Sequence, residues 1–159
     1  MTSIAAAATS ALRDLLAREF ETPLAPETDV AAHGGLSGRV LTGNVPQDLV
    51  ERAPTAYPSI QVYCDKLSNL QREKFRTFSG KAHMVADIRS SAEDITATEA
   101  SLQSHTDCLL RVLDASKGDW GGGRFYGGGY EVTFSPMKRG GLNYLQAARI
   151  TLSLDITLD

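Results

Sequence analysis

The chain has 159 residues, of which 42% are hydrophobic and 22% charged, and this balance favours one soluble globular domain with a single core. The formal net charge of −3 gives no basic excess of the kind that nucleic-acid-binding proteins carry. No apolar run approaches the roughly 20 residues that span a bilayer or the core of a secretory signal, and the two cysteines are too few for a disulfide scaffold. We therefore expect a protein made in the cytoplasm, without a membrane partner.

The first element is an N-terminal helix, predicted over residues 1–22. Ser3 is a suitable N-cap, and apolar side chains recur every three or four residues as far as Phe20, which places them on one face. Pro23 and Pro26 cannot continue a helix and therefore end it. We expect the apolar face of this helix to lie on a sheet.

An irregular arm or long loop is predicted over residues 25–58, because glycine and proline interrupt any regular pattern there. A short strand near residues 39–42 and helical turns near residues 47–52 are expected within it. A connection of this length inside a compact domain is uncommon and is typical of functional or disordered segments.

Four segments show the alternation of apolar and polar side chains that is typical of half-buried strands. They are residues 59–64, residues 81–90, residues 130–136 and the C-terminal segment, where the alternation runs without interruption from Ile150 to Leu158. Because side chains of a strand alternate between faces, such a strand needs a covering layer on its apolar side. We expect the C-terminal strand to organise the sheet.

The segments between these strands are predicted to be connections. Residues 65–77 are polar and charged and form a connector that is helical in part. Ser79 and Gly80 mark a turn, and residues 138–141 form the turn into the last strand. Residues 118–129 are rich in glycine and are predicted to be a loop.

The longest helix is predicted to begin at Thr96, which makes a capping-box signature with Glu99, and to end at Gly118. Strands grouped in pairs around one helix favour an α+β class. We predict a single domain over residues 1–159, with a mostly antiparallel four-stranded sheet and two main helices packed on one face. Residues 59–159 form its sheet-and-helix core.

Known phosphate-binding motifs are absent from the glycine-rich stretch. The dinucleotide fingerprint fails because Tyr126 stands where its third glycine belongs. The only Gly-Lys pair is Gly80-Lys81, and the P-loop glycine that should precede it is Phe75. These observations predict no nucleotide cofactor.

Catalytic and metal-binding arrangements are also weakly supported. His33, His83 and His105 fall in three different elements, and no cysteine or histidine pair has zinc-ligand spacing. Cys64 and Cys108 are predicted to be small packing residues. A small enzyme or ligand-binding domain that uses Cys108 near the glycine-rich stretch is the alternative from another class, but we predict a protein that is not an enzyme.

The candidate functional residues are aromatic and basic side chains in two glycine-rich places. Trp120, Arg124, Phe125 and Tyr126 lie between glycines, and these residue types are enriched at protein interfaces. A partner-binding loop is one interpretation; the other is a hairpin-like loop whose aromatics fold back onto the sheet. The basic turn at Lys138 and Arg139 is a further interface candidate, although such a turn is more often a solvated tip.

Three segments and the long helix among them carry a resemblance to a known family. The segments YPSIQVYCDKLSN (57–69), RTFSGKAHMVADIRSS (76–91) and GGLNYLQAARITLSLDI (140–156) resemble small neck proteins of long-tailed bacteriophages, of the tail-terminator or tail-completion type. The likeness lies in strand pattern and glycine placement, and it covers the chain from residue 57 onward.

The resemblance implies a virion protein of the tail or neck. Members of this family are α+β domains that assemble into a ring, commonly of six copies, at the head-proximal end of the tail tube. Such a ring stops tube polymerisation and joins the head side, so its partners are copies of itself, the tail tube protein and a head–tail connector or stopper protein. DNA passes through the lumen without specific binding. A head–tail connector or another neck component is the alternative within this class.

Overall fold

The computed structural model describes residues 3–21, 40–43, 57–70 and 73–159. These residues form two helices and seven strands. In chain order they are α1 (Ile4–Glu21), β1 (Val40–Thr42), β2 (Ser59–Ser68), β3 (Phe78–Ala92), α2 (Ile95–Ala115), β4 (Gly118–Gly121), β5 (Arg124–Phe134), β6 (Lys138–Gly140) and β7 (Asn143–Leu158).

The strands form one mixed sheet, curled into a half-barrel, in the order β1-β2-β3-β7-β5-β4, and β6 also pairs with β7. β1 runs parallel to β2, and all other neighbours are antiparallel. The prediction of a mostly antiparallel four-stranded sheet with two helices is therefore wrong. Three of the seven strands, β1, β4 and β6, have only three or four residues; β1 is the short strand expected near residues 39–42, whereas β4 and β6 are too short for alternation to reveal them.

β7 is the strand that organises the sheet. It pairs with β3 along its length, from Phe78 opposite Leu158 to Ala92 opposite Tyr144, and with β5 and β6 on its other side. The predicted alternation is present, since Ile150 and the three apolar residues that follow it at every second position are buried. Those side chains are the contribution of β7 to the hydrophobic core.

The two helices cover the apolar face of the sheet. α1 packs on β2 and β1, and α2 packs on β3 and β7. One cluster joins both helices to the sheet; among its fully buried members are Leu12, Leu16, Ile60, Met84, Leu102, Leu109, Leu113, Ile150 and Leu154. Burying one such side chain contributes about 1.5–3 kcal/mol. The stripes of α1 and α2 therefore hold the domain together.

The N-cap of α2 lies two residues before the predicted one. Asp94 is its N-cap, and the carboxylate of Asp94 accepts a hydrogen bond from the amide of Ala97 at 3.0 Å. Thr98 adds to this end by donating from its hydroxyl to the carbonyl of Asp94 at 2.8 Å. Thr96 is an exposed residue within the first turn, so the predicted capping box is not the cap.

Several predicted connections are parts of strands, and residues 138–140 of the turn predicted at 138–141 form β6. β2 continues to Ser68 through a bulge between Cys64 and Lys66, so residues 65–68 are not a connector. Ser79 and Gly80 lie inside β3, and Gly80 is needed there because a Cβ would overlap the carbonyl oxygen of Ser68. The helical turns expected near residues 47–52, and most of the predicted arm, lie outside the described residues.

Candidate interaction surfaces

The glycine-rich segment is the β4–β5 hairpin rather than a loop. Gly118 pairs with Tyr126, and the hairpin turns through Gly122 and Gly123, whose φ angles are +61° and +77°. Residues that carry a side chain rarely adopt such positive φ angles, so glycine is required at the turn. At Gly123 a Cβ would also meet the carbonyl oxygen of Thr157. The glycines thus bring the hairpin against the end of β7.

Two of the four candidate interface residues in this hairpin point into the core. Tyr126 is fully buried, and its ring centroid lies 5.4 Å from that of the half-buried Trp120. Trp120 Nε1 donates to the carbonyl of Ser116 at 2.7 Å, and the Tyr126 hydroxyl donates to the carbonyl of Gly129 at 3.2 Å. Burial raises the pKa of Tyr126 to about 12, with Asp114 adding to the effect. The rings of Trp120 and Tyr126 thus pack against the core of the sheet.

The other two residues of the hairpin face outward or lie near its surface. Phe125 is 50% exposed and pairs with Asp155 on β7. Arg124 is half-buried, and its guanidinium stands over Gly122. Phe125 is thus the aromatic of the hairpin that a partner can reach, with a cation beside it.

The basic residues Lys138 and Arg139 lie at the opposite end of the sheet. Both are exposed on β6, and the guanidinium of Arg139 stands over the ring of Tyr144 at 5.9 Å from the centroid. Lys138 pairs with Leu145 of β7, whereas Phe125 pairs with Asp155. Ten residues of a strand span about 33 Å, so the two groups of interface candidates cannot belong to one small contact.

β5 also presents a free edge. A bulge separates Tyr126 from Tyr130 in its pairing with β7, and β4 pairs with β5 only between Arg124 and Tyr126, on the other side of this bulge. From Tyr130 to Phe134, β5 pairs with β7 on one side, and no strand among the described residues pairs with its other side. Four of these five residues, all but the exposed Glu131, favour strands, and an unpaired edge of this kind is a template for another chain.

The face of the sheet opposite the helices is lined by polar pairs across β3 and β7. The Lys81 ammonium lies 2.8 Å from Asp155, and Ser153 Oγ lies 3.3 Å from His83 Nδ1. These pairs border a broad groove of about 770 Å³, which the glycine bulge of β5 closes on one side. The groove carries charges of both signs, so it selects neither anions nor cations.

Farther along the same face, Tyr63, Asp87 and Arg149 form a network that sequence analysis missed. Arg149 Nε donates to Asp87 Oδ1 at 3.2 Å, and the Tyr63 hydroxyl donates to Asp87 Oδ2 at 3.4 Å. The hydrogen bond to Asp87 raises the pKa of Arg149, and burial followed by the charge of Asp87 raises that of Tyr63. Asp87 and Arg149 occupy polar positions of two alternating segments, but only the register shows that they are opposite each other.

The cysteines lie in protected positions. Cys108 is 4% exposed and belongs to the core cluster, and His105 is also buried on α2. Cys64 is half-buried, its Sγ lies 3.6 Å from the carbonyl of Lys66, and burial raises its pKa. Neither thiol stands in the electropositive, accessible setting that reactive cysteines need.

Searches for other kinds of site give negative results for the described part of the chain. No group of three or more histidine, cysteine or acidic side chains there could hold a metal ion. Neither described helix is long and apolar enough to cross a membrane. Comparison with known proteins found no matching protein-family model and no significantly similar curated protein.

Proposed function

We propose that this protein is a structural virion protein, a tail terminator that forms a ring of six copies at the head-proximal end of a phage tail tube. There it stops tube polymerisation and joins the head side. The observation that carries the proposal is the unpaired edge of β5 from Tyr130 to Phe134. A closed ring needs a contact between two different surfaces of neighbouring copies, and a sheet edge is a surface that a neighbour can extend.

The two ends of the sheet support the same role. A terminator has one neighbour on the tube side and another on the head side. Phe125 with Arg124 lies at one end of β7, and Lys138 with Arg139 lies at the other, about 33 Å away by strand length. Each end thus carries exposed side chains of types that are enriched at interfaces.

The charge of the chain fits a lumen through which DNA passes. Six copies at −3 each carry about −18, so the ring has no cationic excess to hold the phosphate backbone. This supports transit of DNA rather than binding along the lumen.

The proposal is tested by native mass spectrometry and negative-stain imaging of the purified protein. We expect a ring whose mass is six times the chain mass of 17.1 kDa. A chain that stays monomeric at the highest concentration reached, and adds to no tail tube when mixed with one, would contradict it.

A pair of variants asks whether the β5 edge makes the ring contact. Thr133→Lys places a lysine on the free edge, which is how natural proteins block edge pairing. Thr157→Lys makes the same change on the same face of β7, where β3 lies on one side and the amide of Thr157 donates to Gly123 on the other. We expect Thr133→Lys to yield folded monomers whose melting temperature falls only slightly, since the new ammonium lies opposite Arg149, and Thr157→Lys to assemble normally. Equal assembly by both variants would remove the edge from the contact.

A further inference from the structure

A small cavity of about 290 Å³ lies on the polar face of the sheet, at the end that carries β6. Its charged lining consists of Arg89, Lys138 and Arg149 together with one carboxylate, Asp87. The hydroxyls of Thr133 and Ser135 belong to residues that also line it. Three cations against one anion give the lining a formal charge of +2 in a protein whose net charge is −3.

Arg149 is held in a fixed orientation at this cavity. Its Nε is bound to Asp87 Oδ1, while the other oxygen of Asp87 accepts from Tyr63. Among the described residues, the two terminal amino groups of Arg149 have no hydrogen-bond partner, and 57% of its side chain is exposed. A guanidinium anchored through Nε can therefore present both terminal groups to a ligand without first losing side-chain freedom.

Arg89 supplies a second cation from a protected position. It lies on β3, two residues after Asp87, and is 7% exposed. A charge that is shielded from solvent acts on a nearby ion more strongly than an exposed charge does. Lys138 of β6 adds an exposed ammonium at the rim. The cavity thus combines the oriented guanidinium of Arg149 with the exposed ammonium of Lys138, and Arg89 adds a buried cation to its lining.

We propose that this cavity binds a phosphate group. An arginine fork matches the oxygens of phosphate, and the Thr133 hydroxyl can donate to the same oxygens, whereas the Ser135 hydroxyl donates to the Pro136 carbonyl at 3.4 Å. A phosphate monoester or inorganic phosphate carries close to two negative charges at neutral pH, and Arg149 and Lys138 supply positive charge for a ligand of that sign. Since one water takes about 30 Å³ of liquid volume, the cavity holds one phosphate with several waters. Inorganic phosphate and the terminal phosphate of a nucleic-acid strand share this chemistry, and the site does not depend on the ring proposed above.

The test is calorimetric titration of the full chain with inorganic phosphate at constant ionic strength. We expect one saturable site for each chain. Arg149→Gln should weaken the affinity by about tenfold or more, because hydrogen bonds to charged groups contribute strongly. Lys138→Gln should weaken the phosphate affinity less, because the Lys138 side chain is exposed and flexible.

Arg139→Gln is the matched control, because it removes one positive charge from the residue next to Lys138 but outside the cavity lining. It should leave phosphate affinity unchanged. Melting temperatures of all three variants identify any loss of folding. Absence of saturable phosphate binding, or an equal loss in Arg139→Gln and Arg149→Gln, would overturn the proposal.

A second titration identifies the source of the phosphate. A short oligonucleotide with a 5′-phosphate is compared with the same oligonucleotide lacking it. Tighter binding of the phosphorylated strand, lost in Arg149→Gln and competed by inorganic phosphate, would assign the site to strand ends. Equal binding of both strands, with phosphate binding intact, would assign it to free phosphate. Oligonucleotide binding that Arg149→Gln does not alter, together with no phosphate binding, would contradict the site.

Discussion

The rings of Trp120 and Tyr126 meet 5.4 Å apart, centroid to centroid, with their planes tilted by 56°. This contact joins β4 to β5 inside a hairpin whose turn consists of glycines. Tilted pairs of aromatic rings at such distances stabilise a fold by more than the burial of their apolar area alone. The hairpin therefore has a small aromatic core of its own, continuous with the main core.

Alanine substitutions in this hairpin should separate core from surface. Tyr126→Ala should lower the free energy of unfolding by about 3–5 kcal/mol, the range for removing a large buried aromatic side chain. Phe125→Ala is the control, because Phe125 is the neighbouring residue but is half exposed; we expect a change within about 0.5 kcal/mol. Urea denaturation of both variants measures the difference. Equal losses would place Phe125 in the core as well.

The cap of α2 gives a second prediction. Asp94→Ala should lower the free energy of unfolding by about 1 kcal/mol, since the amide of Ala97 loses its acceptor. Thr96→Ala should cost nothing, because Thr96 is an exposed helical residue and alanine has the higher helix propensity. Thermal unfolding followed by circular dichroism distinguishes the two. A larger loss in Thr96→Ala would mean that the capping box predicted from sequence is the true cap.

The sequence predicted the elements whose side chains repeat over many residues. β3, β7 and α1 are long enough for a period of two or of three to four to be read directly, and their apolar faces are buried as expected. At the start of α2, two acceptable capping residues stand two positions apart. Asp94 caps the helix, whereas the sequence rule selected Thr96.

The short strands and the interaction surfaces depend on register, which a sequence does not contain. β6 forms because it meets β7, and it spans too few residues to show a period, whereas β1 lies where a short strand was expected, near residues 39–42. In the hairpin, Tyr126 faces the core because it lies opposite Leu154, and Phe125 faces outward because it lies opposite Asp155. The exposure of Lys138 and Arg139 could be predicted from their charge, but the free edge of β5 and the pairing of Asp87 with Arg149 could not.

Alkaline pH should weaken the fold through Tyr126. An unfolded chain releases the tyrosine proton near pH 10, whereas the folded protein holds it until about pH 12. The folded state therefore binds more protons between these values, so the free energy of unfolding falls as pH rises through this window. Below about pH 10 this contribution is fully present.

Tyr126→Phe tests this dependence. The variant should be less stable at neutral pH, because the hydrogen bond to the Gly129 carbonyl is lost, but its stability should fall less steeply above about pH 10. Tyr63, whose pKa is also raised, contributes to the slope of both proteins and cancels in the comparison. Urea denaturation at several alkaline pH values gives the two slopes. Parallel slopes would mean that groups other than Tyr126 cause the loss of stability at alkaline pH.

Thiol labelling tests whether the cysteines are structural. Cys108 is 4% exposed in the core, so it should react only on unfolding. Cys64 should react slowly in the folded protein, because it is half-buried and its raised pKa leaves little thiolate at neutral pH. A Cys64→Ala protein should accordingly take up no label until denaturant is added, which mass spectrometry measures. Rapid labelling of Cys108 in that variant would reveal a reactive thiol next to His105 and favour an enzyme over a structural protein.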